Sequence, residues 1–193
     1  VEEDKRLKRK VDIENTFGRL AQQFMTKHVE ANLRATTARE YQRILFGDDT
    51  SKWRARPVTS IKKRDVLDLM DAIDARGAKS AAALSLAYLR KFFNWCVERE
   101  IIESSPMDRI RLGRNLRSRE RVLSEDELRV IWTAFASEAG LFGSLFQLLL
   151  LTGQRRNEVA GMRWDELRGL DTDQAIWEIP SERTKNRRTH LVP

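Results

Sequence analysis

Residues 145–164, LFQLLLLTGQRRNEVAGMRW, carry an almost wholly apolar helical run straight into a charged turn. A helix that is apolar on most of its faces belongs inside a core. A glycine just past the last turn, here Gly153, supplies the left-handed cap that redirects the chain. The pattern predicts a buried helix over 141–151, a short helix over 155–161, and two arginines, Arg155 and Arg156, delivered from a rigid support. The apolar stretch is far shorter than the roughly 20 residues needed to span a bilayer, so no membrane partner is expected.

The rest of the 193 residues must supply a core around that helix and a partner for its charge. The net charge is +7 and the sequence pI about 9.8, a balance that favours polyanionic partners, nucleic acid above all. The charge is uneven: residues 1–102 sum to +6, 103–123 to +3, 124–180 to −5 and 181–193 to +3. A single cysteine, Cys96, and two histidines, His28 and His190, make neither a disulfide framework nor metal-ligand spacings. No signal-peptide pattern opens the chain, and a cytoplasmic protein is expected. A first residue of Val1 and a last of Pro193, in mid-pattern, suggest a piece of a longer protein.

Residues 1–102 read as a helical domain with a basic lead-in. Phe17, Leu20, Ala21, Phe24 and Met25 recur at helical spacing and predict a first helix over 14–30. A second helix, capped by Thr36 or Thr37, carries Tyr41, Ile44 and Leu45 and ends at Gly47. A loop with Trp53 and Pro57 follows. Val66, Leu67, Leu69, Met70 and Ile73 mark a third helix stopped by Gly77. A fourth runs from Lys79 to Arg99 with Leu84, Ala87, Tyr88, Leu89, Phe92, Phe93 and Cys96 on its apolar face. Four helices with short connections make a bundle, and Arg39, Arg43, Lys79, Arg90 and Lys91 on its polar faces are candidate phosphate contacts.

Residues 103–123 read as a linker. Pro106 and Gly113 interrupt helical continuity, and Arg109, Arg111, Arg114, Arg117, Arg119 and Arg121 place six arginines in 13 residues. That density suits a connector lying along phosphates better than a Gly/Ser tether. A solvated charged linker is the other reading. Residues 124–193 form the second domain. Ser124 and Glu127 have capping-box spacing, opening a helix to about Ala136. Ala175–Ile179 reads as a strand and Thr189–Val192 as its return, with SERTKNRR as a basic hairpin tip.

Two cations sit where chemistry could use them. Arg155 offers a planar fork of donors suited to phosphate oxygens, with Glu158 three residues on and able to share its helix face. Lys185, at the hairpin tip, is a compact cation able to move a proton. Spacing alone favours an ordinary Arg155–Glu158 surface pair and a solvated turn lysine. No Ser-His-Asp, Cys-His, Walker or metal constellation is present. Arg187 and Arg188 extend the basic tip.

TGQRRNEVAGMRWDEL followed by AIWEIPSERTKNRRTHLVP resembles the tyrosine recombinases, closely the integrases of prophages and genomic islands. Their pattern is T-G-x-R-x-x-E, a Trp-containing strand, I-P, a T-K or M-K hairpin and H-x-V-P. The bundle and SPMDRIR resemble the family's core-binding domain and its exit. The resemblance implies a mainly α chain: a four-helix, SAM-like core-binding bundle, then the helical and small-sheet first part of a catalytic domain. It implies that Arg155 binds the scissile phosphate, Glu158 braces the site and Lys185 protonates the leaving 5′ hydroxyl. A tyrosine hydroxyl of the full protein would attack the phosphodiester, giving a 3′-phosphotyrosyl intermediate without metal, ATP or other cofactor. The partners implied are double-stranded attachment sites and, on paired sites, further copies of the full-length protein. The family's His-x-x-Arg motif and nucleophilic tyrosine do not occur in the 193 residues, and Tyr41 and Tyr88 fall in the bundle. The expectation is a chain that binds DNA and does not cut it. A non-catalytic regulator reading DNA with the bundle is the alternative, and a protein-interaction bundle ranks last.

Overall fold

The computed structural model describes residues 14–111, 121–138 and 140–193. The chain divides into two compact units, 1–117 and 118–193.

In the first unit, helix α1 (Phe17–Phe24) buries Phe17, Leu20, Ala21 and Phe24 on one stripe. It continues through a widened π turn, Met25–Val29, into a last turn, Glu30–Asn32. The wide turn keeps Met25 and Val29 on the buried side with Phe24. No threonine hydroxyl caps the start of α1. Its first amides are satisfied by the 54–56 loop instead: Phe17 N–H donates to the Arg56 carbonyl at 2.9 Å and Gly18 N–H to that of Arg54 at 3.0 Å, as unpaired helix-end donors require.

Helix α2 (Ala35–Phe46) is capped by Arg34, not by Thr36 or Thr37. Extended backbone at Leu33 and Arg34 lets the helix begin two residues early, and both threonines fall inside its first turn. Gly47 ends the helix, as expected. The loop beyond it is ordered core structure: a 3-10 turn, Asp48–Trp53, buries Trp53 edge-on against Phe17 at 5.6 Å, and the Thr50 hydroxyl donates to the Ile44 carbonyl at 2.9 Å.

Helix α3 (Lys63–Ala75) is held at its start by Asp65, whose carboxylate accepts Lys62 N–H at 2.8 Å and Arg56 Nη1 at 2.6 Å. Helix α4 (Lys79–Glu98) buries Ala82, Ser85, Leu86, Leu89, Phe92, Phe93, Trp95 and Cys96. Leu84 and Ala87, expected on that face, are exposed, as is Leu67 on α3, because each lies off the stripe that its own helix buries. Edge-to-face rings fill the centre, with Phe17–Phe92 at 5.1 Å and Phe24–Trp95 at 5.4 Å. The bundle does not stop at residue 102. Met107 and Ile110 are buried in the same core, Arg90 Nη2 donates to the Ile110 carbonyl at 2.7 Å, and the Ser105 hydroxyl accepts Met107 N–H at 3.2 Å.

In the second unit, helix α5 (Glu125–Ser137) opens with the expected capping box: Glu127 N–H donates to Ser124 Oγ at 3.3 Å, and Ser124 N–H to Glu127 Oε2 at 2.9 Å. Helix α6 (Leu141–Thr152) packs on α5 through the stacked rings of Phe135 and Phe146. At Gly143 a Cβ would stand 2.4 Å from the Phe135 carbonyl oxygen, so the two backbones approach only because that residue is glycine. Contrary to expectation α6 is not buried all round. Leu141, Phe142 and Leu151 are 88%, 67% and 70% exposed. Its inner side, Leu145 and Leu149, packs on Val159, Trp177, Ile179 and Val192, and its other side meets no cover among the described residues.

Helix α7 (Arg156–Ala160) follows, then a 3-10 turn, Trp164–Glu166. An antiparallel sheet in the order β1 (Leu167–Arg168), β2 (Ile176–Ile179), β3 (His190–Val192) completes the unit, with Trp177 paired to Leu167 on one side and Val192 on the other. The short β1 is a strand with no counterpart in the sequence reading.

Candidate phosphate-binding site

Gly153 ends α6 at φ +61°, in the left-handed region expected of it, and its N–H donates to the Leu149 carbonyl at 3.0 Å. The chain turns there, and Arg155 becomes the residue that caps α7. Its carbonyl accepts Glu158 N–H at 2.8 Å and Val159 N–H at 3.1 Å. The Glu158 carboxylate folds back to accept Arg155 N–H at 3.1 Å and Arg155 Nη1 at 3.0 Å. Glu158 is buried while the Arg155 side chain is 65% exposed. The pair is thus asymmetric: an anchored carboxylate steadies a guanidinium that faces solvent. Arg156 lies outside this arrangement, its Nε bonded to Asn157 Oδ1 at 3.3 Å.

Lys185 is exposed in the loop between β2 and β3. Thr184 beside it is buried, and its hydroxyl oxygen accepts Arg188 N–H at 3.1 Å and lies 2.7 Å from the Arg188 carbonyl, pinning the two legs of the loop together. Arg187 takes a φ of +56° in the same turn. Arg187 and Arg188 are exposed.

Two buried or half-buried side chains that sequence reasoning missed, Arg183 and Glu166, tie this loop to the Arg155 turn. Arg183, whose side chain is 19% exposed, donates Nη1 to the Glu166 carboxylate and Nη2 to the backbone carbonyl of Glu158. Glu166, buried, also accepts Trp177 Nε1–H at 3.0 Å and Arg163 N–H at 3.4 Å. Burial alone would push the Glu166 carboxyl up, but the bonds from Arg183, Trp177 and the Arg163 backbone outweigh it and hold the group below the usual carboxylate range. A Cβ at Gly161 would stand 3.0 Å from Arg183 Nη2, so the glycine leaves the guanidinium its path. By composition Arg183 was one of four cations in a basic tip, with no local signal to set it apart.

The other candidate cations lie apart. Arg39, Lys79 and Lys91 are exposed on α2 and α4. Arg43, exposed on α2, is bonded to Glu40 through Nε at 3.1 Å and Nη2 at 2.9 Å. Arg90 is half-buried and bonded to the Ile110 carbonyl, so its guanidinium braces the bundle from within. Burial and then the Lys91 charge lower the His28 pKa. Arg114, Arg117 and Arg119 lie outside the described residues. Arg121 is exposed and paired with Glu127. Among the described residues no cluster of His, Cys, Asp and Glu is arranged to hold a metal ion, and no helix is long and apolar enough to cross a membrane.

A bundle of this kind is the phage integrase central domain, whose family model matches residues 17–112. The chain as a whole is similar to the tyrosine recombinases. Tyrosine recombinase XerC of Xylella fastidiosa strain M23 is 27% identical over 184 residues, an alignment that takes in 92% of this chain. The chain spans 60% of the length of that relative. The fold is shared with a lambda integrase tetramer bound to a Holliday junction, at a TM-score of 0.73 and 17% identity over 90% of this chain and 49% of the other. It is shared too with the Tn1549 transposon integrase (aa 82–397) in complex with circular intermediate DNA, at 0.67 and 14% over 92% and 60%.

Proposed function

We propose that these 193 residues are the DNA-gripping part of a site-specific recombinase, an integrase of the prophage or genomic-island type that works on double-stranded attachment sites in the cytoplasm. One observation carries the reading: Arg183 bonds the carbonyl of Glu158, so the loop bearing Lys185 is tied to the turn bearing Arg155. A guanidinium and an ammonium on two joined elements suit the two jobs of phosphodiester cleavage. Arg155 takes the non-bridging oxygens, where negative charge grows as phosphorus becomes five-coordinate. Lys185 gives a proton to the 5′ oxygen as the P–O5′ bond breaks.

The nucleophile of the whole protein is a tyrosine hydroxyl, whose oxygen stays bonded to the 3′ phosphate. Attack by a freed 5′ hydroxyl then restores the diester and releases the tyrosine. Tyr41 and Tyr88 do not fill that role. Their rings pack edge to face at 4.4 Å within the bundle unit, where Tyr41 is buried in the core. The 193 residues alone therefore hold DNA without cutting it. Arg39, Arg43, Lys79, Lys91, Arg114, Arg117, Arg119, Arg121, Arg187 and Arg188 supply phosphate contacts. Homo-oligomers form on paired sites in the whole protein.

Titration of a labelled duplex across salt concentrations tests the proposal. Log K should fall by about 0.9 for each phosphate neutralised, Arg155→Ala and Lys185→Ala should each weaken binding, and no denaturant-stable protein–DNA adduct should form. Binding that is flat with salt, or a covalent adduct, overturns it.

A further inference from the structure

From the buried contacts of the second unit we infer that Arg183 is a positioning residue, one that sets Lys185 against the phosphate held by Arg155 through its two-armed bond to Glu166 and to the Glu158 carbonyl. The inference rests on the reading of Arg155 and Lys185 given above and adds a residue to it.

Three features separate this guanidinium from the surface arginines around it. First, it is mostly buried, whereas Arg187, Arg188 and Lys185 in the same loop are exposed. Second, its partner Glu166 is itself 3% exposed at the side chain and fixed independently by Trp177 of β2 and by the Arg163 backbone. A buried carboxylate with three donors has one orientation, and it hands that orientation to the arginine. Third, the remaining arm ends on the backbone of the very residue whose carboxylate steadies Arg155. The path runs from the Arg155 turn through Glu158 to Arg183, and two residues later to Lys185.

The chemistry explains why arginine is needed. Arg183 meets two acceptors on two different elements, and only a planar fork of several donors serves both in a fixed geometry. A lysine keeps the charge and can satisfy the carboxylate, but its point-like ammonium does not hold the two elements in register. Proton transfer to a leaving oxygen requires the donor within hydrogen-bond reach, and a displacement of about 1 Å at such a donor costs on the order of a hundredfold in rate. Without the tie, Lys185 would be an ordinary mobile cation of a basic loop.

The test uses the 193-residue protein and Arg183→Lys, with Ile179→Ala as a variant that weakens the same sheet without touching the tie. Two readouts are taken. Without DNA, backbone amide exchange at 184–188 should accelerate roughly tenfold in Arg183→Lys, the worth of one charge-assisted hydrogen bond, while Trp177 and Ile179 in β2 stay protected. With a labelled duplex, the loss of affinity caused by Lys185→Ala should shrink to near nothing in the Arg183→Lys background and persist in the Ile179→Ala background. Unchanged loop exchange in Arg183→Lys overturns the inference, as does a Lys185→Ala penalty that survives it or that Ile179→Ala abolishes equally. If the native chain does not bind the duplex at all, the recombinase reading fails, and the exchange measurement alone decides whether Arg183 holds the loop.

Discussion

Glu158 closes the turn that Arg155 opens, taking its backbone N–H at 3.1 Å and its Nη1 at 3.0 Å while remaining buried itself. The two residues consequently divide one task. Glu158 is anchored in the fold, and the Arg155 guanidinium is left facing solvent.

Substitution should separate them. Glu158→Ala leaves Arg155 N–H without its acceptor at a helix start, and a lost cap of this type costs about 0.5–2 kcal/mol. Arg155→Ala removes an exposed arm from a carboxylate that keeps its backbone donor, and an ion pair with one exposed partner is worth at most about 1 kcal/mol. Thermal melts should show the larger stability loss for Glu158→Ala, and duplex titrations the larger affinity loss for Arg155→Ala among folded variants. Equal losses in both assays would contradict the division.

Acid should loosen each unit through a different carboxylate. Asp65 is held below the usual range chiefly by its bond from Arg56, then by Lys62 N–H; Glu166 is held low against the effect of its own burial by Arg183 and Trp177. Each folded value lies below the unfolded one. The stabilisation is therefore complete above the ordinary carboxylate range of about 4 and is lost as pH falls through the folded values. Melting temperature against pH should fall on that limb, and Asp65→Asn should flatten it for the first unit and Glu166→Gln for the second. A limb unchanged in either variant would show that other groups carry the acid sensitivity.

Cys96 gives a reporter for the first unit alone. Burial pushes its thiol up to about 12, against an opposing pull from Arg99, so near neutral pH the reactive thiolate is essentially absent. An aromatic disulfide reagent should label it only when the bundle opens, and the labelling rate should rise with denaturant. Labelling within minutes in native buffer would mean that the bundle opens far more readily than its packing implies.

Met107→Ala and Ile110→Ala test where the bundle ends. Both side chains are buried in the first core, and truncating a large buried side chain costs about 2–5 kcal/mol. Each should lower the denaturation midpoint of the first unit, and a chain cut at residue 102 should lose its cooperative transition. Midpoints equal to the parent would return residues 103–111 to the role of a tether.

That segment also shows what was legible beforehand. Helices α1 to α4 announced themselves because their apolar residues repeat at helical spacing, and α5 because Ser124 and Glu127 carry a cap in three residues. Met107 and Ile110 belong to no periodic run, and their neighbours Pro106, Arg109 and Arg111 read as linker. Only the fold brings α4 near enough for Arg90 to reach Ile110. The tie through Arg183 was hidden for the same reason: its partners, Glu166 and the Glu158 carbonyl, are 17 and 25 residues away, and a backbone carbonyl leaves no mark in a sequence. Local motifs single out Arg155 and Lys185 in the sequence, and both side chains are exposed in the fold.

Helix α6 was misread in degree, and the difference can be measured. Apolar residues on most faces argued for burial all round, yet Leu141, Phe142 and Leu151 are exposed while Leu145 and Leu149 pack inward. Polar substitution on the outer side, Phe142→Ser with Leu151→Gln, removes little buried area and should cost less than about 1 kcal/mol. The same change should reduce binding of an environment-sensitive dye and any concentration-dependent association, since a contiguous exposed apolar patch is what such dyes and sticky chains recognise. Leu145→Ser, on the inner side, should instead unfold the small core around Trp177. If the outer pair proved as destabilising as Leu145→Ser, the outer side of α6 would have to be covered in solution.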